Sequence, residues 1–282
     1  MLADLAVHRA TTLADALGLL ASAASRPAVL AGGTDLMVLL NARTWTPAEV
    51  LDIHGIDALR GISLEGDRLH LGALASYADL IESSLVQTHS PALVEASRTV
   101  GAVQIQARGT LGGNVANGSP AGDTLPVLMA QGCDVVLVSS AGERKVRFDD
   151  FYRGYRDPDI RPDELIARFE MDPLPAGAKS VFRKVGTRLA QAISKVILGA
   201  VGVVGPDGRV SSLRLSAGSV GPVPLRLRAT EAAAIGLPPA EAAVAARAAA
   251  AEEVVPIDDV RSTADYRREV TARLAARVVS EL

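Results

Sequence analysis

The chain has 282 residues, with 29 lysines and arginines against 32 aspartates and glutamates for a formal net charge of −3, and it is long enough for two or three domains and a large core. A slightly acidic balance with only 3% aromatic residues supplies neither the basic footprint nor the stacking platform of a nucleic-acid binder. No apolar run approaches the roughly 18 residues of a membrane span, and no basic segment leads into a hydrophobic one at the start, so a soluble cytoplasmic protein is expected.

In chain order, residues 5–7 read as an edge strand, and Thr12-Leu13-Ala14-Asp15 is a helix start of capping-box type. Leu13, Ala16, Leu17 and Leu20 then share one helical face. Residues 27–31 read as a short buried strand that leads directly into Gly32-Gly33-Thr34-Asp35 and the apolar helix start Leu36-Met37-Val38-Leu39-Leu40. A strand, a glycine pair and a helix start present free N–H groups to a phosphate. A strand at 50–53 completes a small α/β unit ending near His54.

A second unit opens with alternating runs at 62–71 hinged at Glu65-Gly66-Asp67, a hairpin signature. Helices are expected at 77–82 and 91–100. There follows Gly109-Thr110-Leu111-Gly112-Gly113-Asn114-Val115-Ala116-Asn117-Gly118-Ser119-Pro120-Ala121-Gly122-Asp123, with five glycines and a proline among small polar residues. Such a run is not expected to hold a helix, because each glycine costs about 1 kcal/mol relative to alanine and proline costs more. Glycines permit positive φ and close approach to main-chain N–H groups. Thr110, Asn114, Asn117, Ser119 and Asp123 add donors and acceptors suited to a nucleotide's hydroxyls and phosphates. Neither glycine loop carries G-x-x-x-x-G-K-[ST] or G-x-G-x-x-G, and for each alone a ligand-free surface loop is the competing reading.

A helix resumes at 125–131, and a hairpin of 135–138 and 145–148 turns at Ala141-Gly142-Glu143. Residues 165–171 return to the same sheet. Pro173-Leu174-Pro175-Ala176-Gly177-Ala178 is the clearest linker. Strands at 181–185, 192–204 and 210–217 follow, the last two separated by Gly205-Pro206-Asp207-Gly208. The alanine-rich run 240–251 reads as a helix, and in the last helix Tyr266, Val270, Leu274 and Val278 form an i, i+4 stripe read as core. Cys133 is the only cysteine; it cannot furnish the four thiolates of an iron–sulfur cluster and reads as a small hydrophobe. His8, His54, His70 and His89 lack metal-ligand spacing and read as structural or surface residues. No metal site and no catalytic acid–base constellation is expected.

The motifs A-G-G-T-D-L at 31–36 and T-L-G-G-N-V-A-N-G-S-P-A-G-D at 110–123, followed by Leu125-Pro126, together resemble the FAD-binding medium subunit of the molybdenum hydroxylases. That family includes the carbon monoxide dehydrogenase medium subunit and the flavin segment of xanthine dehydrogenase, and the resemblance covers essentially the whole chain. It implies an α+β fold, with a two-lobed FAD-binding domain of the PCMH/VAO type at 1–172 (lobes about 1–54 and 55–172). A smaller α+β C-terminal domain at 179–282 follows, with a three-stranded sheet plus helices. The FAD is expected in the cleft between lobes, its pyrophosphate held by both glycine loops.

Position by position, Ala31, Gly32, Gly33, Thr34, Asp35 and Leu36 match the family's first flavin loop. Thr110, Gly113, Asn114, Ala116, Asn117, Gly122 and Asp123 match the second. Gly101 and Ile105 occupy apolar contact positions, and Lys184 matches a lysine near the isoalloxazine. Asp123 is expected to accept from ribityl or ribose hydroxyls. Thr34 stands where several FAD proteins of the wider fold carry a histidine linked to the flavin, which implies noncovalent FAD. Val100 stands where some relatives place a phenylalanine against the flavin.

The implied role is electron transfer, from an iron–sulfur small subunit joined to a molybdopterin large subunit, to an acceptor such as NAD or quinone. Two other readings use the same residues. One is a self-sufficient FAD-dependent oxidoreductase of this fold, such as the reductase that completes UDP-N-acetylmuramate; the other is a non-catalytic nucleotide-binding scaffold subunit.

Overall fold

The computed structural model describes residues 5–188 and 191–282. It opens with β1 (Ala6–Arg9), α1 (Leu13–Ser22), β2 (Ala28–Leu30), α2 (Leu36–Ala42) and β3 (Glu49–Asp52). The Thr12 hydroxyl accepts from the Asp15 N–H, and α1 buries Ala16, Leu17 and Leu20. The three strands form a parallel sheet in the order β1-β3-β2. β2 is half-buried and not buried as expected, because it is an edge strand with one flank against a cavity. Parallel pairing places the three strand C-termini along one rim, where ligands of open α/β sheets bind.

The second lobe begins with the hairpin β4 (Ile62–Glu65) and β5 (Arg68–Gly72). Six helices follow: α3 (Tyr77–Glu82), α4 (Ser84–His89), α5 (Pro91–Arg98), α6 (Val103–Gln106), α7 (Leu111–Asn117) and α8 (Leu125–Gln131). The α4 helix went unread in the sequence because Ser83 closes α3 and caps α4 at once, leaving no separating turn. Then come β6 (Cys133–Ser139), β7 (Gly142–Arg147), β8 (Tyr152–Gly154), β9 (Asp157–Pro158) and β10 (Leu165–Met171). The sheet is antiparallel in the order β4-β5-β10-β6-β7. Gly142 pairs with Ser139, so the β6–β7 turn is Ser140-Ala141 and sits one residue earlier than expected. Leu71, Leu93, Leu111, Leu128, Val135 and Phe169 belong to the core beneath this sheet and its helices, and Cys133 is buried among them.

The glycine-rich stretch departs most from expectation, since its centre is the helix α7. Thr110 caps it through the Gly113 N–H, and Gly118 ends it in the left-handed conformation at φ 59°. Leu111, Gly112 and Val115 are its buried face. Gly112 is required there, because a Cβ would lie 2.7 Å from the Ala73 carbonyl oxygen. Capping and packing thus outweigh a propensity cost of about 2 kcal/mol for the two internal glycines.

Beyond the linker lie β11 (Lys179–Val185), β12 (Val196–Val204), β13 (Val210–Gly218) and β14 (Leu225–Arg226), then α9 (Arg228–Ala234), α10 (Pro239–Glu253) and α11 (Ala264–Ser280). The sheet runs β11-β12-β13-β14, so a two-residue strand adds to the three expected. β12 begins at Val196, later than position 192. The helices cover one face around Leu198, Leu215, Ala246, Ala275 and Val278. On α11 Val278 of the expected stripe is buried and Val270 and Leu274 pack half-buried against the same core, while Tyr266 is 44% exposed and Thr271, Ala275 and Val279 widen the buried face. The small side chains Ala242, Ala246 and Ala250 of α10 let α11 approach through its own alanines. The opposite sheet face receives α8.

Candidate functional site

A cavity of about 560 Å³ lies between the lobes, along the free edge of β2, within the size range of small-molecule and cofactor sites. Its first wall is the connection between β2 and α2. Ala31, Gly32, Gly33, Thr34, Asp35 and Leu36 all line it. Among the described residues no acceptor takes the N–H groups of Gly32, Gly33, Thr34, Asp35 or Leu36, and the Asp35 side chain caps none of them. Gly33 sits at φ 79°, where a side chain is strained. At Gly32 a Cβ would fall 1.8 Å from the Arg108 carbonyl oxygen. Five consecutive N–H groups without an internal partner, on a cavity wall at a helix start, form an anion cradle.

The second wall is α7, and it works differently from the expected phosphate loop. The Gly112 N–H donates to the Ala73 carbonyl at 2.8 Å, and the Gly113 N–H to the Thr110 hydroxyl at 3.1 Å. These amides are spent within the fold. What α7 presents is a low surface: Gly113 and Ala116 are exposed and Asn114 and Asn117 half-buried, all lining the cavity with Thr110. The Thr124 hydroxyl donates to Asn114 Oδ1 at 2.7 Å, which fixes the carboxamide and leaves its NH₂ for a ligand. Ile105 also lines the cavity.

Gly101, Gly122, Asp123 and Lys184 stand behind the cavity lining. A Cβ at Gly101 would meet the Ile105 side chain within 2.9 Å, and Gly101 has φ 56°. Asp123 is buried and accepts from Lys184 Nζ at 2.6 Å, Ser194 Oγ at 2.6 Å and Thr99 Oγ1 at 3.1 Å. Its two oxygens thus face three protein donors. Burial pushes the Asp123 carboxyl up, opposed by the Lys184 ammonium and the Ser194 and Thr99 hydroxyls. Lys184, on β11, also donates to the Thr99 carbonyl, so it ties the C-terminal domain to the segment just before Val100, which lines the cavity.

Several lining residues carried no local signal in the sequence. Tyr77 of α3, Leu165 and Ile166 of β10, and Trp45 of the α2–β3 connection come from three separate parts of the chain and meet only when β10 lies across the β2 edge. Burial, with the Asp123 charge adding, pushes the Tyr77 hydroxyl well above its ordinary value and keeps it neutral. Ser194 and Thr99, which hold Asp123, were likewise not anticipated.

Residues 3–173 match the family of the FAD binding domain in molybdopterin dehydrogenase, and residues 180–282 match the CO dehydrogenase flavoprotein C-terminal domain. The chain belongs to this FAD-binding family. It is 31% identical to the caffeine dehydrogenase subunit beta of Pseudomonas sp. (strain CBB1), over 96% of this chain and 92% of that one. It is 29% identical to the carbon monoxide dehydrogenase medium chain of Hydrogenophaga pseudoflava, over 97% and 95%. A solved structure of carbon monoxide dehydrogenase from Hydrogenophaga pseudoflava, lacking the Mo-pyranopterin moiety, superposes with TM-score 0.92 at 30% identity, covering 97% and 95% of the two chains.

As a member of the molybdopterin dehydrogenase FAD-binding family, the chain is an oxidoreductase component with an FAD-binding domain followed by the flavoprotein C-terminal domain. The residues present fit the cofactor: a row of free amides for a diphosphate, and opposite it a helix face kept low by glycine and alanine. No helix among the described residues is long and apolar enough to cross a membrane.

Proposed function

We propose that this chain is the FAD-carrying electron-transfer subunit of a molybdenum hydroxylase, working with an iron–sulfur small subunit and a molybdopterin large subunit and passing electrons to NAD, quinone or another acceptor. The observation that carries the reading is the run of acceptorless N–H groups from Gly32 to Leu36, facing the cavity across from α7. Bound FAD would supply two-electron acceptance with stepwise release. This chain's residues bind and orient it: the Gly32–Leu36 amides neutralise the diphosphate, Asn114 and Asn117 donate to it or to its sugars, and Gly113 and Ala116 let it approach. Asp123 and Lys184 act from behind, holding the Thr99–Val100 wall in place.

Thr34 has no nucleophile suited to a flavin linkage, so FAD is held noncovalently. Precipitating the protein with acid is expected to leave the yellow colour in the supernatant; colour retained in the pellet overturns that. The single cysteine cannot hold a cluster, so electrons enter from a partner. The test is purification of the assembly with metal analysis, followed by stopped flow on the organic substrate. Flavin bleaching is expected only when the iron–sulfur chain is present. Reduction of the lone FAD-loaded chain by an organic substrate at a catalytic rate replaces this reading with a self-sufficient flavoenzyme.

A further inference from the structure

Among the residues that line the cavity is Trp45, the only tryptophan in the chain. It is 46% exposed and makes no hydrogen bond among the described residues. A large aromatic ring on a cavity rim with no partner is an open stacking platform, since every nucleobase has a π-face to offer. Its place in the fold tells which part of a ligand reaches it. β2 and β3 are parallel, so α2 must run back along β2, and the α2–β3 connection that carries Trp45 lies beside the start of β2, near Pro27. From Pro27 to Gly32 is five residues, about 16 Å at roughly 3.3 Å per residue. Trp45 is therefore separated from the amide cradle by about the length of a strand, on the side away from Val100, Ile105 and Lys184.

The chemistry of that end excludes a second anion. Arg26 is the cationic residue lining it, and its guanidinium is committed to three carbonyls, those of Arg161, Pro162 and Glu164. The remaining lining is Pro27, Ala28, Leu39 and Ile160 with Trp45. A flat, neutral, aromatic group suits it, and a phosphate does not.

We propose that Trp45 stacks on the adenine of the bound dinucleotide and selects an adenylate-bearing flavin over a mononucleotide. The inference rests on the flavin reading of the cavity. With the diphosphate on the Gly32–Leu36 amides, one end of the ligand runs to the α7 and Val100 side and the other along β2 to Trp45. The group at the Trp45 end is the purine.

As the sole tryptophan, Trp45 reports on itself. Titration of the flavin-free full chain with ADP, which has no flavin to accept excitation energy, is expected to change Trp45 emission. Affinities of wild type and Trp45→Ala for FAD, ADP and FMN are then compared by calorimetry. Trp45→Ala is expected to weaken FAD and ADP about tenfold, in the range known for one base–aromatic stack, to leave FMN unchanged, and to be largely rescued by Trp45→Phe. Unchanged FAD affinity in Trp45→Ala, or an equal loss for FMN, overturns the proposal while the flavin reading stands. A wild-type chain that binds ADP with a Trp45 response but takes no FAD overturns the flavin reading and keeps the purine platform.

Discussion

Two glycines on opposite walls of the cavity make opposite demands. At Gly32 a Cβ would sit 1.8 Å from the Arg108 carbonyl, a backbone atom that cannot yield cheaply. Gly113 is exposed, and a Cβ there meets only the Thr110 hydroxyl, at 2.9 Å. Gly32→Ala is therefore expected to lower the melting temperature and abolish flavin content together. Gly113→Val should fold with a small loss of stability from its disturbed cap, yet purify nearly colourless, because the branched side chain fills the space before α7. Thermal melts and the ratio of flavin to protein absorbance separate the two; full flavin content in Gly113→Val would remove α7 from the cofactor site. Behind the wall, Asp123 and Lys184 form an ion pair with side chains 8% and 9% exposed. Lys184→Met leaves a buried carboxylate unpaired and is expected to cost about 3–5 kcal/mol. Adding Asp123→Asn should recover much of that in urea unfolding, because the charge then disappears with its partner.

At the scale of elements, what was legible followed from local pattern. β2, the glycine pair and α2 were readable because strand, turn and helix start are contiguous, and the β4–β5 hairpin because Gly66 turns it at φ 63°. α7 was illegible because its stability comes from outside itself, from Ala73 against Gly112 and from the caps Thr110 and Gly118. The full width of the α11 buried face was hidden for a similar reason, since the α10 alanines let Ala275 approach beside the expected stripe. The ion pairs around the five-stranded sheet also needed the strand order. Arg144 holds Glu164, Lys145 holds Glu170, and Arg147 holds Asp172, each from a strand or segment distant in sequence. Burial alone would raise these carboxyls, but the bonds from their cationic partners keep all three below their ordinary values. A depressed folded-state pKa contributes stability that is present above the unfolded value and lost as pH falls through the folded one. The melting temperature is expected to be flat at neutral pH and to fall steeply below about pH 4.5, the ordinary carboxylate range. Glu170→Gln should flatten that fall; an unchanged slope would mean that this ladder does not govern acid stability.

At the scale of the whole molecule, the C-terminal domain is part of the frame of the proposed cofactor site. Its sheet receives α8 at Gly199 and Gly218, where a Cβ would lie 2.6 Å from the Pro126 carbonyl oxygen and 2.9 Å from the Pro126 ring, respectively. Arg214 donates to the Ala130 and Met129 carbonyls at the end of α8, and Asp149 gathers Arg214, Arg226 and Arg228. Lys184 and Ser194 reach across the same junction to Asp123, next to the residues that end the α7 segment. Phe182 and Ile197 of the C-terminal sheet belong to the core of the first domain, so the two domains share apolar contacts as well as ion pairs. The chain is therefore expected to unfold in one cooperative calorimetric transition. Gly199→Val forces the sheet off α8 without touching the cavity lining. It should split or broaden that transition and weaken FAD binding through the displaced Lys184–Asp123 link. Gly18→Ala is the control: it lies mid-helix on α1 with open space around its Cβ position, so it should leave the transition single and the flavin bound. A Gly199→Val protein with one sharp transition and wild-type flavin affinity would show that the cavity is framed by the first domain alone.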